Sequence, residues 1–247
     1  MDDEGESLMA TLCIVGIGPG GKEHLTLKAI DALTRSQVIV GYAFYLELVQ
    51  EFLTGKTVVS SGMTQELDRC RQAIDYVKQG QNTCLLSTGD PGLYGMAGPA
   101  LELAEEINIE IIPGVSAVFA AAAEVGAPLM HDMCTISLSD LLTPWELIVS
   151  RLEHSAQADF VIALYNPKSH GRPTHLKQAV ETLLRYKSPQ TPVASVKNAG
   201  RAGTEYQIAT LATIPYDLID MKTVVIIGNA HTYVKDGRMI TPRGYTL

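Results

Sequence analysis

Hydrophobic positions along the chain follow two periods. Short runs of aliphatic and β-branched residues alternate with segments whose apolar positions recur every three or four residues. The runs predict strands at Leu12–Ile17, Gln37–Val40, Thr57–Val59, Thr83–Ser87 and Ile109–Ile112. A second set follows at Cys134–Leu138, Phe160–Tyr165, Val193–Lys197, Glu205–Ala209 and Thr223–Ile227. Between the third and fourth runs, Met63, Leu67, Cys70, Ile74 and Val77 form a stripe at helical spacing, which core packing alone explains. Helices are also predicted to open near Leu25, after the loop 87–99, and at Ser116–Ala117. Two more span 144–157 and 173–186, each beginning with a Pro near the first turn, where its missing N–H is not needed.

Strand–helix alternation over the whole chain predicts an α/β architecture with largely parallel sheets. The stretch EVGAPLMHD, 124–132, interrupts the pattern with Gly and Pro. It divides the chain into an acidic tail (1–10), an N-terminal α/β domain (11–127) and a C-terminal α/β domain (128–247). Neither half has the length for eight βα units.

Charge separates the halves. Residues 1–130 hold 7 basic and 17 acidic residues, residues 131–247 hold 12 and 10, so the second half is the better host for an acidic ligand. The net charge of −8 argues against nucleic-acid or anionic-membrane binding. The beginning MDDEGES lacks the basic-then-apolar order of a secretion signal, and the greasy run Val115–Ala123 is far short of a membrane span, so a cytoplasmic protein is expected. Cys13, Cys70, Cys84 and Cys134 are scattered and read as buried free thiols. With no H-E-x-x-H, and with His170 and His175 badly spaced for one helix face, no metal site is expected.

The glycines carry the chemistry. In CIVGIGPGGKEHLT, Gly16, Gly18 and Gly21 have dinucleotide-fingerprint spacing. A nicotinamide site also wants an acid about 20 residues on. Here the second strand runs into Gly41 and Tyr42, and Pro19 removes a donor from the turn. A stiff corner that lets a ligand approach the backbone fits better. The loop STGDPGLYGMAGP (87–99) has Asp90 as its only charge, either facing a cationic or hydroxyl-bearing ligand or capping the next helix. In IIPGVSAVFAAAA (111–123), Ser116 follows another Pro-Gly corner and is a candidate N-cap. LYNPKSHGRP (164–173) and VKNAGRAGTE (196–205) bring Lys168, Arg172, Lys197 and Arg201 to strand ends, as carboxylate ligands or as a solvated rim. No G-x-S-x-G elbow is present.

These loops, in this order, resemble the tetrapyrrole (class III) S-adenosylmethionine methyltransferases. The strings VGYAFYLELV, GDPGLYGMAG, AAAAEVGAPLMHDMCTISLSDLLTPWE, RLEHSAQADFVIALYNPKSHGR and TPVASVKNAGR are similar to its precorrin-3B/cobalt-factor III C17-methyltransferase branch. The resemblance runs from about Thr11 to Asn229. It implies two α/β domains with the cofactor in the cleft between them, a homodimer, and S-adenosyl-L-methionine as methyl donor with S-adenosyl-L-homocysteine as product. Carried over by position, it assigns Pro19, Thr88, Gly89, Asp90, Leu93, Ser116, Ala117, Tyr165 and Asn166 to the cofactor, with Ala209 and Thr210 adding a backbone contact. The chain departs from related uroporphyrinogen methyltransferases, which carry an Asp after the second strand and a basic residue after the third. It also departs from its branch in having Pro91 after Asp90.

The implied reaction methylates C17 of a cobalamin-pathway macrocycle and contracts the ring. Methylation at another corrin carbon, and a binding module without turnover, are the alternatives. An electron-rich macrocycle carbon is its own nucleophile, so positioning dominates. The acetate and propionate arms give Lys168, Arg172, Lys197 and Arg201 a purpose. Ring contraction needs proton movement, for which His131 and Asp132 are the candidates, ahead of Tyr94 and Asp140. For His131 a hydrogen-bonded hinge is the competing reading. Whether cobalt is already in the substrate stays open.

Overall fold

The computed structural model describes residues 10–62 and 65–246. All but Ala10 of the expected acidic tail, and Met63 of the helical stripe, lie outside these residues. The chain divides into two compact units, Met1–Ser116 and Ala117–Leu247.

In the first unit the elements run β1 (Thr11–Gly16), α1 (Leu27–Arg35), β2 (Val38–Tyr42), α2 (Ala43–Glu47), β3 (Thr57–Ser61), α3 (Glu66–Lys78), β4 (Thr83–Ser87), α4 (Ala97–Leu103) and β5 (Asn108–Ile112). The sheet order is β3-β2-β4-β1-β5, and every pairing is parallel. A parallel sheet must be covered on both faces, and alternation along the strands does this. Leu12, Ile14, Val38, Val40 and Leu85 point to α3 and α4. Cys13, Val15, Ile39, Cys84 and Leu86 point the other way, to α1 and Leu46. Of the stripe, Cys70, Ile74 and Val77 are buried core, whereas Leu67, in the first turn of α3, is 49% exposed and is not part of it. Thr26 caps α1, its hydroxyl accepting the Ala29 N–H at 3.1 Å.

The second unit opens on α5 (Ala117–Val125), β6 (Gly126–Ala127), β7 (Met133–Ser137), α6 (Trp145–Gln157), β8 (Val161–Tyr165) and α7 (His175–Leu183). It continues through β9 (Pro192–Lys197), β10 (Glu205–Thr210), β11 (Thr223–Ile227), β12 (Tyr233–Lys235) and β13 (Arg238–Ile240). The main sheet has the order β10-β9-β11-β8-β7. Helices α6 and α7 bury Ile148, Leu152, Leu176, Val180 and Leu183 against it. The alanine-rich α5 lies against β9, β10 and β11.

Parallel pairing, expected to predominate, holds in the main sheet between β7 and β8 and gives way beyond them. The β9–β10 connection, 198–204, is too short for a crossover, so those strands pair antiparallel. Strand β11 then inserts antiparallel between β8 and β9, the two strands that α7 links. A small sheet, β12-β13-β6, was not foreseen, its strands being two or three residues long. The helix α5 falls in the second unit, eleven residues ahead of the division expected after 127, because it packs on that unit's strands.

Candidate functional site

Strands β4, β1 and β5 are neighbours and parallel, so the loops that follow them meet at one edge of the first sheet. That edge of an open parallel sheet is where α/β folds bind ligands. Gly18 and Gly89 exchange backbone hydrogen bonds, Gly18 N to Gly89 O at 3.2 Å and Gly89 N to Gly18 O at 2.7 Å. The contact between loops is backbone on backbone. A Cβ on Gly114 would lie 2.2 Å from the Gly89 oxygen, and one on Gly16 would lie 2.6 Å from the Gly114 nitrogen. Gly16 and Gly18, two of the three fingerprint-like glycines, therefore join with Gly89 and Gly114 to hold three corners of the protein together.

Asp90 locks that arrangement. One carboxylate oxygen accepts the Gly92 N–H at 2.8 Å and the other accepts the Gly114 N–H at 3.1 Å. Asp90 thus ties the loop after β4 to the loop after β5. It does not cap α4, whose N-cap is Met96. The unusual Pro91 also has a place: its Cδ would lie 2.8 Å from a Cβ on Gly16, so the ring packs on a bare glycine. Around this junction Pro19 and Ser116 are buried, and Thr88, Asp90 and Leu93 are half-buried. At Gly98 an added Cβ meets nothing within 4 Å, leaving open space beside the loop.

In the second unit, the carboxyl ends of β7 and β8 form a corresponding edge. Tyr165 ends β8, and its hydroxyl accepts the Val118 N–H at 3.0 Å, occupying one unpaired donor of the first turn of α5. Asn166 follows in the left-handed region, φ 52°, a conformation Asn tolerates, and its amide donates to Ser137 Oγ at 2.9 Å. Ala209 and Thr210, at the end of β10, line a cavity of about 570 Å³ between that strand and the β12–β13 hairpin.

The four expected substrate cations do not form a free basic rim. Lys168 donates to the Tyr216 carbonyl at 3.1 Å. Lys197 is 2.8 Å from Asp220, and that bond raises the ammonium pKa. Burial pushes the Asp220 carboxyl up, but Lys197 and the other hydrogen bonds outweigh it and the net shift is down. The backbone N–H of Arg201 closes the turn after β9, donating to the Asn198 carbonyl at 3.0 Å. Arg172 is buried, donates to Ser139 Oγ at 3.1 Å and lies 3.9 Å from Asp140.

Asp140, the lesser candidate for proton movement, is the centre of a cluster whose pairing with Arg172 and His175 sequence reasoning missed. His175 Nε2 lies 3.0 Å from one of its oxygens and the His175 ring packs edge-on against Trp145, centroids 4.5 Å apart. The His175 hydrogen bond, reinforced by the charge of Arg172, holds the Asp140 carboxyl below the usual carboxylate range. Arg172 Nε and His175 Nδ1 are buried with no hydrogen-bond partner among the described residues. The partners are 35 residues apart, so no local spacing reveals them.

His131 and Asp132, the expected proton-transfer pair, are exposed and contact each other, with Asp132 N donating to His131 Nδ1 at 2.9 Å. They precede β7, so the length of that strand separates them from the edge that carries Ser137, Asn166 and Arg172. The structure does not bring them together with those residues. Among the described residues, no cluster of three or more His, Cys, Asp or Glu is arranged to hold a metal.

Comparison with known proteins follows the same lines. A family model described as Tetrapyrrole (Corrin/Porphyrin) Methylases matches residues 11–215. The chain is 49% identical over 240 residues to a probable cobalt-factor III C(17)-methyltransferase of Salmonella typhimurium, covering 96% of this chain and 100% of that one. It is 38% identical over 250 residues to a precorrin-3B C(17)-methyltransferase of Sinorhizobium, covering 96% and 98%. The crystal structure of the methyltransferase CobJ superposes with a TM-score of 0.91 at 33% identity, covering 94% of this chain and 100% of that one.

Proposed function

The chain belongs to the tetrapyrrole (corrin/porphyrin) methylases, and from that premise we propose that it methylates C17 of cobalt-factor III during ring contraction, with S-adenosylmethionine as donor. One observation carries this reading: 49% identity along 96% of the chain to a relative named for that reaction. The cobalt-free macrocycle precorrin-3B is the second reading, favoured by the Sinorhizobium relative at 38%.

The residues present fit the donor. Its sulfonium is a cation, and the first-unit edge offers carbonyl oxygens, the Thr88 hydroxyl and the Asp90 carboxylate. Pro19, Thr88, Gly89, Asp90, Leu93 and Ser116 are the residues we assign to the donor from the first unit. From the second we assign Ala117, Tyr165, Asn166, Ala209 and Thr210. When bound, the donor supplies an electrophilic methyl group, so the chain need not supply a covalent nucleophile.

The work left to the chain is orientation, which can be worth several orders of magnitude in rate. The Gly18–Gly89 bridge and the Asp90 clasp fix the corners before any ligand arrives, so little ordering remains on binding. Lys168, Arg172, Lys197 and Arg201 remain the second unit's assigned ligands for the macrocycle's carboxylates. Lys197 and Lys168 would exchange their present oxygen partners for substrate ones. In the second unit, Asp140 and His175 are better placed to hold a proton than His131 and Asp132, being hydrogen-bonded at the edge that carries Arg172. Under the same reading the protein works in the cytoplasm as a homodimer. No described helix is long and apolar enough to cross a membrane.

Two measurements test this. Calorimetry should find S-adenosylhomocysteine bound and NAD ignored. Radiolabelled methyl should pass from S-adenosylmethionine into cobalt-factor III under anaerobic conditions. Label entering precorrin-3B alone would shift the assignment to the cobalt-free branch. Tight donor binding with no transfer to either macrocycle would leave a binding module and end the enzymatic reading.

A further inference from the structure

We propose that Arg69 is an anion site that takes one carboxylate of the macrocycle, a role that rests on the substrate class just assigned. Arg69 lies in the first turns of α3, just ahead of the core residue Cys70, and its side chain reaches the carboxyl edge of the first sheet. There Nε donates to Ser61 Oγ at 2.7 Å and one terminal nitrogen to the Gly62 carbonyl at 2.9 Å. The other terminal nitrogen lies 3.7 Å from the Met96 sulfur. Ser61 ends β3 and Met96 opens α4, so the guanidinium sits where the loops after β3 and β4 meet. The loop after β4 is the one that carries Thr88 and Asp90.

The residue is 3% exposed, and a guanidinium keeps its charge at any physiological pH. A buried charge is costly unless an opposite charge accompanies it. Arg69 has none. The other arginines of the first unit are ion-paired, Arg35 with Asp31 and Glu110, Arg71 with Asp68. Among the described residues, no carboxylate joins Arg69, whose partners are a hydroxyl, a carbonyl and a thioether, the last a weak acceptor.

Packing does not require a cation here, since Met or Leu fills similar volume and removes the desolvation cost. A guanidinium carries five donors in a planar fork, so each terminal nitrogen keeps one N–H beyond the bonds described. That fork matches a carboxylate in a bidentate pair. The cover on this side is thin, because Gly62 is exposed and Ser61 half-buried. A macrocycle bearing acetate and propionate arms supplies the missing anion.

The test is direct binding of cobalt-factor III and precorrin-3B, followed by their absorbance, to wild type, Arg69→Lys and Arg69→Met. S-adenosylhomocysteine affinity and thermal melting are measured alongside. Arg69→Lys should raise the macrocycle Kd about tenfold, or about 1.4 kcal/mol, and leave S-adenosylhomocysteine affinity unchanged. Arg69→Met should raise it further, and if that variant does not fold the Lys variant decides. A folded Arg69→Lys protein with wild-type macrocycle affinity overturns the assignment. So does an equal loss of affinity for both ligands, the mark of a structural brace. Tight macrocycle binding by wild type without methyl transfer, but sensitive to Arg69, would sustain this site while removing the proposed activity. Wild type that binds neither macrocycle removes both.

Discussion

Gly114→Ala examines the loop junction at its tightest point. A Cβ there would stand 2.2 Å from the Gly89 oxygen and 2.8 Å from the carbonyl carbon and oxygen of Gly16. Ordinary contact between such atoms is about 3.5 Å, so the loops must part by roughly 1 Å. Overpacking of this kind costs about 1–3 kcal/mol. The shift also strains the Asp90–Gly114 bond, a charged hydrogen bond worth about 1.5–3 kcal/mol, and the Gly18–Gly89 pair beside it. Lower unfolded-state entropy returns about 0.4–1 kcal/mol. The net expectation is a loss of about 2–4 kcal/mol in urea unfolding, with S-adenosylhomocysteine affinity down about tenfold or more. Gly98→Ala is the control. Its Cβ meets nothing within 4 Å, and it lies within α4, where Ala is favoured by up to about 1 kcal/mol. If Gly114→Ala is as stable as wild type and binds the donor equally well, the idea that bare backbone contact builds this edge is wrong.

Asp90→Ala should lose both clasp bonds, lowering stability by about 1–3 kcal/mol and donor affinity with it; unchanged affinity in a folded variant would confine Asp90 to a structural role. Lys187 is buried, and its ammonium is held by Asp159 at 3.1 Å and the carbonyls of Phe160 and Gly228 at 2.9 and 3.2 Å. Lys187→Met should cost about 2–4 kcal/mol by urea unfolding, and a loss below 0.5 kcal/mol would show that the ammonium contributes little. Acid should unfold the protein. The Glu110 carboxyl is depressed by its bond to Lys28, then by Arg35, and the Asp140 carboxyl by His175. Depressed carboxylates contribute stability that is present above their unfolded values, 4.5 and 3.8, and is lost as pH falls through the lower folded values. Urea midpoints should therefore hold down to about pH 5 and fall below pH 4. Asp140→Asn should flatten part of that fall, and an unaltered pH profile would discount the His175 pair.

Much of the fold was legible because it is written in local period. The continuous apolar run Leu12–Ile17 and the helical spacing of Cys70, Ile74 and Val77 point to strand and helix before any tertiary contact is known. Strand direction in the second sheet was not, because the insertion of β11 between β8 and β9 is a choice among distant partners. The glycine corners were visible as spacing, but their purpose was not. That Gly16, Gly89 and Gly114 touch follows from the order β4-β1-β5, which no spacing encodes. Basic loops were legible as composition, yet Arg172 is buried and Lys197 paired with Asp220, a partner 23 positions on. Nothing in its spacing marks Arg69, and only its burial without an acid among the described residues sets it apart.

The position of the transferred methyl tests the account most directly. With ¹³C-methyl S-adenosylmethionine and cobalt-factor III, carbon NMR of the product should place a single labelled methyl at C17 of a contracted macrocycle. A labelled methyl on any other ring carbon, or an unmethylated macrocycle after full donor binding, would contradict it.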